Sequence, residues 1–599
     1  MFLRRIRPQG KGSRQTYWEL VESYRTSKGS RLRRICYLGK LSAKEVSGWE
    51  TLTRRLDGKT EPTPGLFDAL PCQDPEFLTV DVNGIGLRDL KTFGQEYLAW
   101  TLWRLLGLDK LLKGQMSLGQ EHIPWSSVAA ILCLSRFCRP SSELSIAQKF
   151  YPHSGLQEIL DIAPEQVNED RLYRGLDQLL PHKKAIEQHL RQRLGELFDL
   201  SFDILLYDLT STYFEGQCAA NPMARRGYSR DSRSDCLQVV IALIVTVEGY
   251  PLGYEVFDGN TADSTTVQKI VEKVEAEHGR SQRIWVMDRG NVSAANLEFI
   301  RQRGGQYIVG TPKAMLRQVQ GELSKEGWQQ VREGIEVKVI GPVGDTTETL
   351  VLCRSAARVN KELGMLEKFA ARMEKGLQAM KKSAEKGRLK SLVTAYVRLG
   401  RLQDQNWRAA ACFDVKISEL DGRLAISWTK DEQKKRELCG CYLLRTNAPE
   451  TDAIKLWKQY IQLVDVEWAF RITKDEMELR PVWHQHAERV QAHILVCFVA
   501  YAMWKTLSGW MQASGLGDAP RTLMEELRTV QSGEVLLPIC GADGTTAETL
   551  VIRCVTQPDE HTRVLLSRLG LDLPNHLKRY RLANPRAGGS LGQATACAM

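Results

Sequence analysis

The chain of 599 residues has no run of about 20 consecutive apolar residues, the length a helix needs to cross a bilayer. Its longest apolar stretches, near 239–247 and 494–504, are about half that length. No signal-peptide pattern opens it, because Arg4, Arg5 and Arg7 are followed by polar residues. Together these absences predict an intracellular protein. No Gly-x4-Gly-Lys-Ser/Thr loop is present to cradle a nucleotide phosphate, and no Gly-x-Ser-x-Gly elbow to expose a nucleophilic serine. The 14 cysteines never fall into zinc-finger spacing: Cys439-x-Cys441 and the pair Cys133 and Cys138 have no second Cys or His pair. Reduced, mostly buried thiols are expected. His484, His486 and His493 lack a third ligand at such spacing and read as structural histidines. No internal repeat is visible.

What is present is an uneven charge. Of the net +10, residues 1–40 carry +9, from 11 Lys/Arg against 2 Asp/Glu. A patch of this kind suits a polyanion, because Lys and Arg release condensed counterions from phosphates. The length calls for roughly three to five folding units. Residues 1–45 read as a basic β-hairpin, with Arg31, Arg33 and Arg34 on its second strand and Tyr17, Trp18, Tyr24 and Tyr37 interleaved. Residues 46–85 read as a linker, rich in Pro, Gly and Asp over 57–76. Residues 86–200 show helical periodicity (Leu98, Leu102, Leu105, Leu106; Val128, Ile131, Leu132) and suggest a helical DNA-binding domain.

From 201 the pattern changes to β, β-hairpin, α, β, α, β, with strands at 202–207, 237–247, 252–257, 283–287 and 307–309 and helices at 264–278 and 293–303. This order predicts an α/β fold with an RNase H-like core. Residues 313–440 read as a long mixed α+β insertion, with helices over 357–404. Residues 441–510 return to the core through a helix at 452–475 and a strongly apolar one at 485–506. Residues 511–599 lack clear periodicity and end in a Gly- and Ala-rich tail.

Asp208 follows the first predicted strand of this core and Asp288 the fourth. Residues just past strand C-termini face the functional crevice of an α/β sheet. If the two strands are neighbours, the two carboxylates meet, repel, and call for a cation between them. Two Mg²⁺ ions held this way can activate a water or a 3′-hydroxyl and stabilise the leaving oxygen of a phosphodiester. On the 452–475 helix, Tyr460, Glu467, Arg471 and Lys474 are spaced by 7, 4 and 3, which puts them on one face. Glu467 is the candidate third carboxylate. Asp258 and Asp263 read as turn or capping residues, Asp203 and Asp235 as solvent-facing, and Glu215 and Glu478 as weaker third ligands. A two-carboxylate glycosidase finds no support in the basic patch.

The segment Tyr460-x2-Leu463-x3-Glu467-x6-Lys474 resembles the Tyr-x2-Arg-x3-Glu-x6-Lys signature of DDE transposases of bacterial insertion sequences. Further stretches are similar to one subgroup with a long insertion: Tyr207-Asp208-Leu-Thr-Ser-Thr-Tyr-Phe-Glu, Gly253 to Asp263, Asp288-Arg-Gly, Leu444-Arg-Thr-Asn447 and Arg480-Pro-Val-Trp-His484. The resemblance spans roughly 1–505. It implies a metal-binding triad of Asp208, Asp288 and Glu467, two Mg²⁺ ions with Mn²⁺ as a substitute, and phosphate contacts from Tyr460 and Lys474. It implies cleavage at terminal inverted repeats followed by strand transfer, carried out by a homodimer on double-stranded DNA in the bacterial cytoplasm, at the nucleoid. Leu463 departs from the signature, and Arg471 on the same helix face is the expected replacement. An RNase H-like nuclease that cuts without joining, and an inactive DNA-binding derivative, are the alternative readings.

Overall fold

The computed structural model describes residues 2–6, 17–26, 29–39, 78–116, 123–279, 282–341, 348–420, 423–431, 438–541 and 546–583. The predicted linker at 57–76 and the C-terminal tail lie outside the described residues.

At the N-terminus, β1 (Phe2–Ile6), β2 (Tyr17–Thr26) and β3 (Gly29–Gly39) form an antiparallel three-stranded sheet. Leu20 and Val21 are buried, while Arg31, Arg33 and Arg34 of β3 are exposed. A further strand, β4 (Gly86–Thr92), precedes the helices Gly94–Leu105, Leu108–Gln115, Trp125–Cys138, Glu169–Leu179 and Lys183–Phe198.

The central sheet has nine strands. It begins with β5 (Ile204–Tyr213), β6 (Gln238–Val245), β7 (Pro251–Asp258), β8 (Ile284–Met287) and β9 (Gln306–Gly310). It continues with β10 (Gln329–Arg332), β11 (Ile335–Ile340), β12 (Thr349–Ser355) and, after the two-stranded hairpin of β13 (Phe413–Leu420) and β14 (Arg423–Lys430), with β15 (Cys441–Thr446). The spatial order is β10-β11-β12-β15-β9-β8-β5-β6-β7. β8 is parallel to both β5 and β9, and the other pairings are antiparallel.

Both faces of the sheet are covered, so its strands read as unbroken apolar runs. Alternate residues go to opposite sides. Leu206, Val239, Ile241, Leu243 and Val245 join the core that holds the long helix Ala487–Ala513. Leu205, Tyr207, Val240, Ala242 and Ile244 join a second core with Val267, Ile270 and Val271 of the helix Val267–His278 and with Leu297 and Ile300 of Ala294–Gln302. The helix Ala487–Ala513 is long and apolar enough to cross a membrane, where the sequence reading saw a shorter stretch, but 89% of its most apolar window is buried within the fold. It packs against Trp125–Cys138 and Glu169–Leu179 and so joins the N-terminal helices to the sheet.

Two features differ from the sequence reading. The strands at 329–355 extend the central sheet rather than standing apart. Ile335, Val337, Val351 and Cys353 share its core, and β12 pairs with β15. A separate small core forms between the helices Ala356–Glu385 and Leu392–Gln405 and the hairpin β13–β14, through Met373, Leu377, Leu399, Phe413, Leu424 and Ile426. The region after 511 is also ordered: β16 (Gln531–Cys540), β17 (Thr546–Val555) and β18 (His576–Ala583) make a sheet of order β18-β17-β16-β4, closed by the distant strand β4. Its junction is polar, with the buried Arg553 paired to Asp89, to Glu158 at 3.3 Å and to Glu534 at 3.1 Å. Charged residues at buried strand positions remove the hydrophobic alternation by which such strands are recognised. Among the described residues, no disulfide joins the cysteines whose side chains are described.

Candidate active site

Parallel pairing of β5 with β8 brings the first two carboxylates together. Tyr207 is in register with Met287, so Asp208 and Asp288 stand side by side as the next residues on each chain. Asp208 is not past its strand, as the apolar pattern suggested, but within it: β5 runs on to Tyr213, and Asp208 pairs with Leu243 of β6. The polar run Thr210-Ser211-Thr212 continues the ladder although it carries no apolar signal. Asp288 leaves its strand and enters the short 3-10 turn Arg289–Asn291, where it is exposed.

Glu467 comes from the helix Leu463–Arg471, which packs on β5 and β6. Burial raises the Asp208 carboxyl to about 7, opposed by the Leu209 N–H and by Arg230 and reinforced by the charges of Asp288 and Glu467. Glu467 is raised by desolvation and by Asp288. The three carboxylates therefore lie within one another's fields.

The helix predicted at 452–475 is not continuous. Ala453–Ile461 ends at Gln462, Leu463–Arg471 follows, and Ile472–Glu476 widens into a π turn. The Thr473 hydroxyl donates to the Ala469 carbonyl at 2.6 Å where the widening begins. Tyr460, Glu467 and Lys474 thus sit on three segments rather than on one helix face, and only Glu467 and Arg471 share a helix.

Tyr460 lies against Gly310 of β9. A Cβ at Gly310 would come 2.6 Å from the Tyr460 hydroxyl and 3.6 Å from Asp288 Oδ1, so glycine is what lets the ring approach. Burial and Asp288 raise the Tyr460 phenol. Lys474 is buried and ion-paired with Asp231 at 2.7 Å, and Arg480 binds the same carboxylate oxygen. Arg471 is exposed, 5.3 Å over the Trp468 ring and 3.9 Å from Asp475. Leu463 packs half-buried against the main core, which an arginine would not do.

The N-terminal arginines lie on the separate three-stranded sheet. Arg33 pairs with Glu22 at 2.8 Å and with Glu560 of the C-terminal region at 3.1 Å, and Arg34 reaches Glu19 at 4.0 Å. Arg31 has no ion-pair partner among the described residues.

One neighbour of the site, Arg230, escaped the sequence reading. Arg230 pairs with Asp263 at 2.6 Å, and Asp263 Oδ2 lies 3.2 Å from where a Gly290 Cβ would stand, two residues past Asp288. Asp263 is therefore an ion-pair partner at the site's edge, not a cap. The signal was its position in the Gly253–Asp263 stretch of the family resemblance, without a spacing that would expose its partner. The competing carboxylates are engaged elsewhere: Glu215 with Arg233 at 3.5 Å, Asp235 with Arg233 at 3.0 Å, and Asp203 with the Ser201 hydroxyl at 2.9 Å.

The site is thus a cluster of carboxylates at one strand edge of a large mixed sheet. The family model for the transposase DDE domain matches residues 200–503. The chain belongs to that family and carries a transposase domain. It is also similar to a solved structure of a piggyBac transposase synaptic complex with hairpin DNA, at 9% identity and a TM-score of 0.35, over 72% of this chain and 79% of that chain. No curated protein matches.

Proposed function

We propose that the chain cuts DNA at the terminal inverted repeats of an insertion sequence and joins the freed 3′-hydroxyl to target DNA. The meeting of Asp208 and Asp288 on neighbouring parallel strands, with Glu467 in their shared field, carries this reading. The segment from β5 to β9 is an RNase H-like core, a reading supported by the spatial order β9-β8-β5-β6-β7 with parallel pairing on both sides of β8.

The carboxylates fit two Mg²⁺ ions, or Mn²⁺ in their place: they are hard oxygen donors, and burial, reinforced by the charges of Asp288 and Glu467, leaves Asp208 with a raised proton affinity that a cation would relieve. Bound by Asp208, Asp288 and Glu467, the ions would supply Lewis acidity at a phosphodiester. Asp208 is held rigidly by the ladder on both sides of it, while Asp288 and Glu467 approach from a turn and a helix. Such positioning on regular elements favours in-line displacement. Tyr460, Arg471 and Lys474 contact phosphates near the transposon end. For Lys474 this requires exchanging the Asp231 carboxylate for a phosphate. Arg31, Arg33 and Arg34 hold the duplex through its backbone. The active species is a homodimer bridging two DNA ends, in the bacterial cytoplasm at the nucleoid.

The test is Asp288→Asn. Binding to DNA carrying the gene's flanks should be retained and cleavage lost. Loss of binding together with cleavage would contradict a metal-holding role.

A further inference from the structure

Away from the triad, the fold gathers a largely buried cluster from two distant stretches of sequence. Glu143, in the short helix Glu143–Ser145 after the N-terminal helices, lies 3.4 Å from His484 Nε2. His493, nearly two turns into the helix Ala487–Ala513, joins them: a ligand atom from each of the three lies within 4.8 Å of the others. Cys497 sits one further turn along the same helix, its Sγ 3.9 Å from His493 Nε2. Glu143, His493 and Cys497 are buried, and His484 is half-buried with its side chain 8% exposed. Arg136, the nearest cation, is turned to the carbonyls of Met477 and Ser141.

We infer that Glu143, His484 and His493, with Cys497 as the fourth donor, form a structural zinc site. The donor set is the mixed N, O and S set that Zn²⁺ accepts. In a tetrahedron with ordinary zinc bond lengths, adjacent N and O donors are about 3.3 Å apart and N and S donors about 3.6 Å. The observed edges of 3.4 Å and 3.9 Å are near these values. A carboxylate and a thiolate balance the ion's charge, which a buried site requires. Cys497 stands outside the group of three within 4.8 Å, and its Sγ would close on Glu143 and His484 to complete a four-donor structural centre with no open position. His493-x3-Cys497 places two donors on one helix face, and Glu143 ties the N-terminal helices to the core at that point. The cluster was invisible in the sequence because its third and fourth donors lie far from the His pair or were read as isolated thiols.

The experiment uses the full chain, purified without a metal-affinity tag, exposed to Zn²⁺ and dialysed into metal-free buffer. Metal is then counted by mass spectrometry for wild type, Cys497→Ser, Glu143→Gln and Asp288→Asn, with circular dichroism as the check on folding. The expected result is about one zinc per chain in wild type and in Asp288→Asn, with retention reduced at least tenfold in folded Cys497→Ser or Glu143→Gln. Cobalt in place of zinc should give a thiolate charge-transfer band that Cys497→Ser removes. Folded wild-type protein that retains no zinc would overturn the inference, as would zinc lost in Asp288→Asn, which would assign the ion to the carboxylate triad.

Discussion

Asp208 offers the sharpest test of the carboxylate cluster that does not depend on turnover. Its carboxyl is raised from 3.8 to about 7 in the folded chain, first by burial and then by Asp288 and Glu467. A carboxyl whose folded pKa lies above its unfolded value favours the protonated native state. The cost of ionising it is absent below 3.8, grows between 3.8 and about 7, and is complete above that. About three units at 1.36 kcal/mol each set an upper limit of about 4 kcal/mol. Asp208→Asn removes the charge and keeps an acceptor for the Leu209 N–H. In chelator near pH 8 the variant should therefore be more stable than wild type by up to about 4 kcal/mol, and near pH 4 the gap should close. Excess Mg²⁺ should recover most of the difference for wild type and little for the variant. Urea unfolding followed by tryptophan fluorescence at the two pH values, with and without Mg²⁺, reads all of this. A variant no more stable than wild type near pH 8 in chelator, or a gap of the same size near pH 4, would refute the reasoning.

Gly310→Ala should force the Tyr460 ring away from β9 and lower Mg²⁺-dependent cleavage at least tenfold, or about 1.4 kcal/mol; a steady-state nicking assay that finds the wild-type rate would mean that the approach of Tyr460 to β9 is not needed for cleavage. Asp231→Ala should destabilise the chain by roughly 3 kcal/mol, because it strands the buried Lys474 beside Arg480, and a melting curve unchanged from wild type would show that the pair is not holding the loop. Replacing Arg31, Arg33 and Arg34 by glutamine should weaken DNA binding and flatten its dependence on salt. A slope equal to that of wild type in fluorescence anisotropy would remove the N-terminal sheet from the interface.

The sequence made the core strands legible because both faces of their sheet are buried, and β6, with every residue inside, is the clearest case. Asp208 and Asp288 were legible as carboxylates at the ends of apolar runs, and their adjacency followed from the order of elements. The break at Gln462 was not legible, since residues 453–471 keep a helical apolar pattern on both sides of it and nothing in the side chains announces the tighter turn. Lys474 read as a phosphate contact beside Glu467, and its buried ion pair was not legible because its partner, Asp231, lies in the loop between β5 and β6, more than 200 residues earlier. Sequence separation also hid Arg230 with Asp263, 33 residues apart, and, for the C-terminal sheet, the pairing of β4 with β16. Local pattern identifies an element; it does not reveal a polar partner brought in by the fold.

The central claim is tested most directly with purified chain and linear DNA bearing the gene's own flanks, comparing wild type with Glu467→Gln in Mg²⁺. Cuts at fixed end positions, joined products from the wild type, and neither from the variant are the predicted result. Cutting that survives Glu467→Gln would mean that the third carboxylate is another residue, and cutting without joining would replace the transposase reading with that of a nuclease.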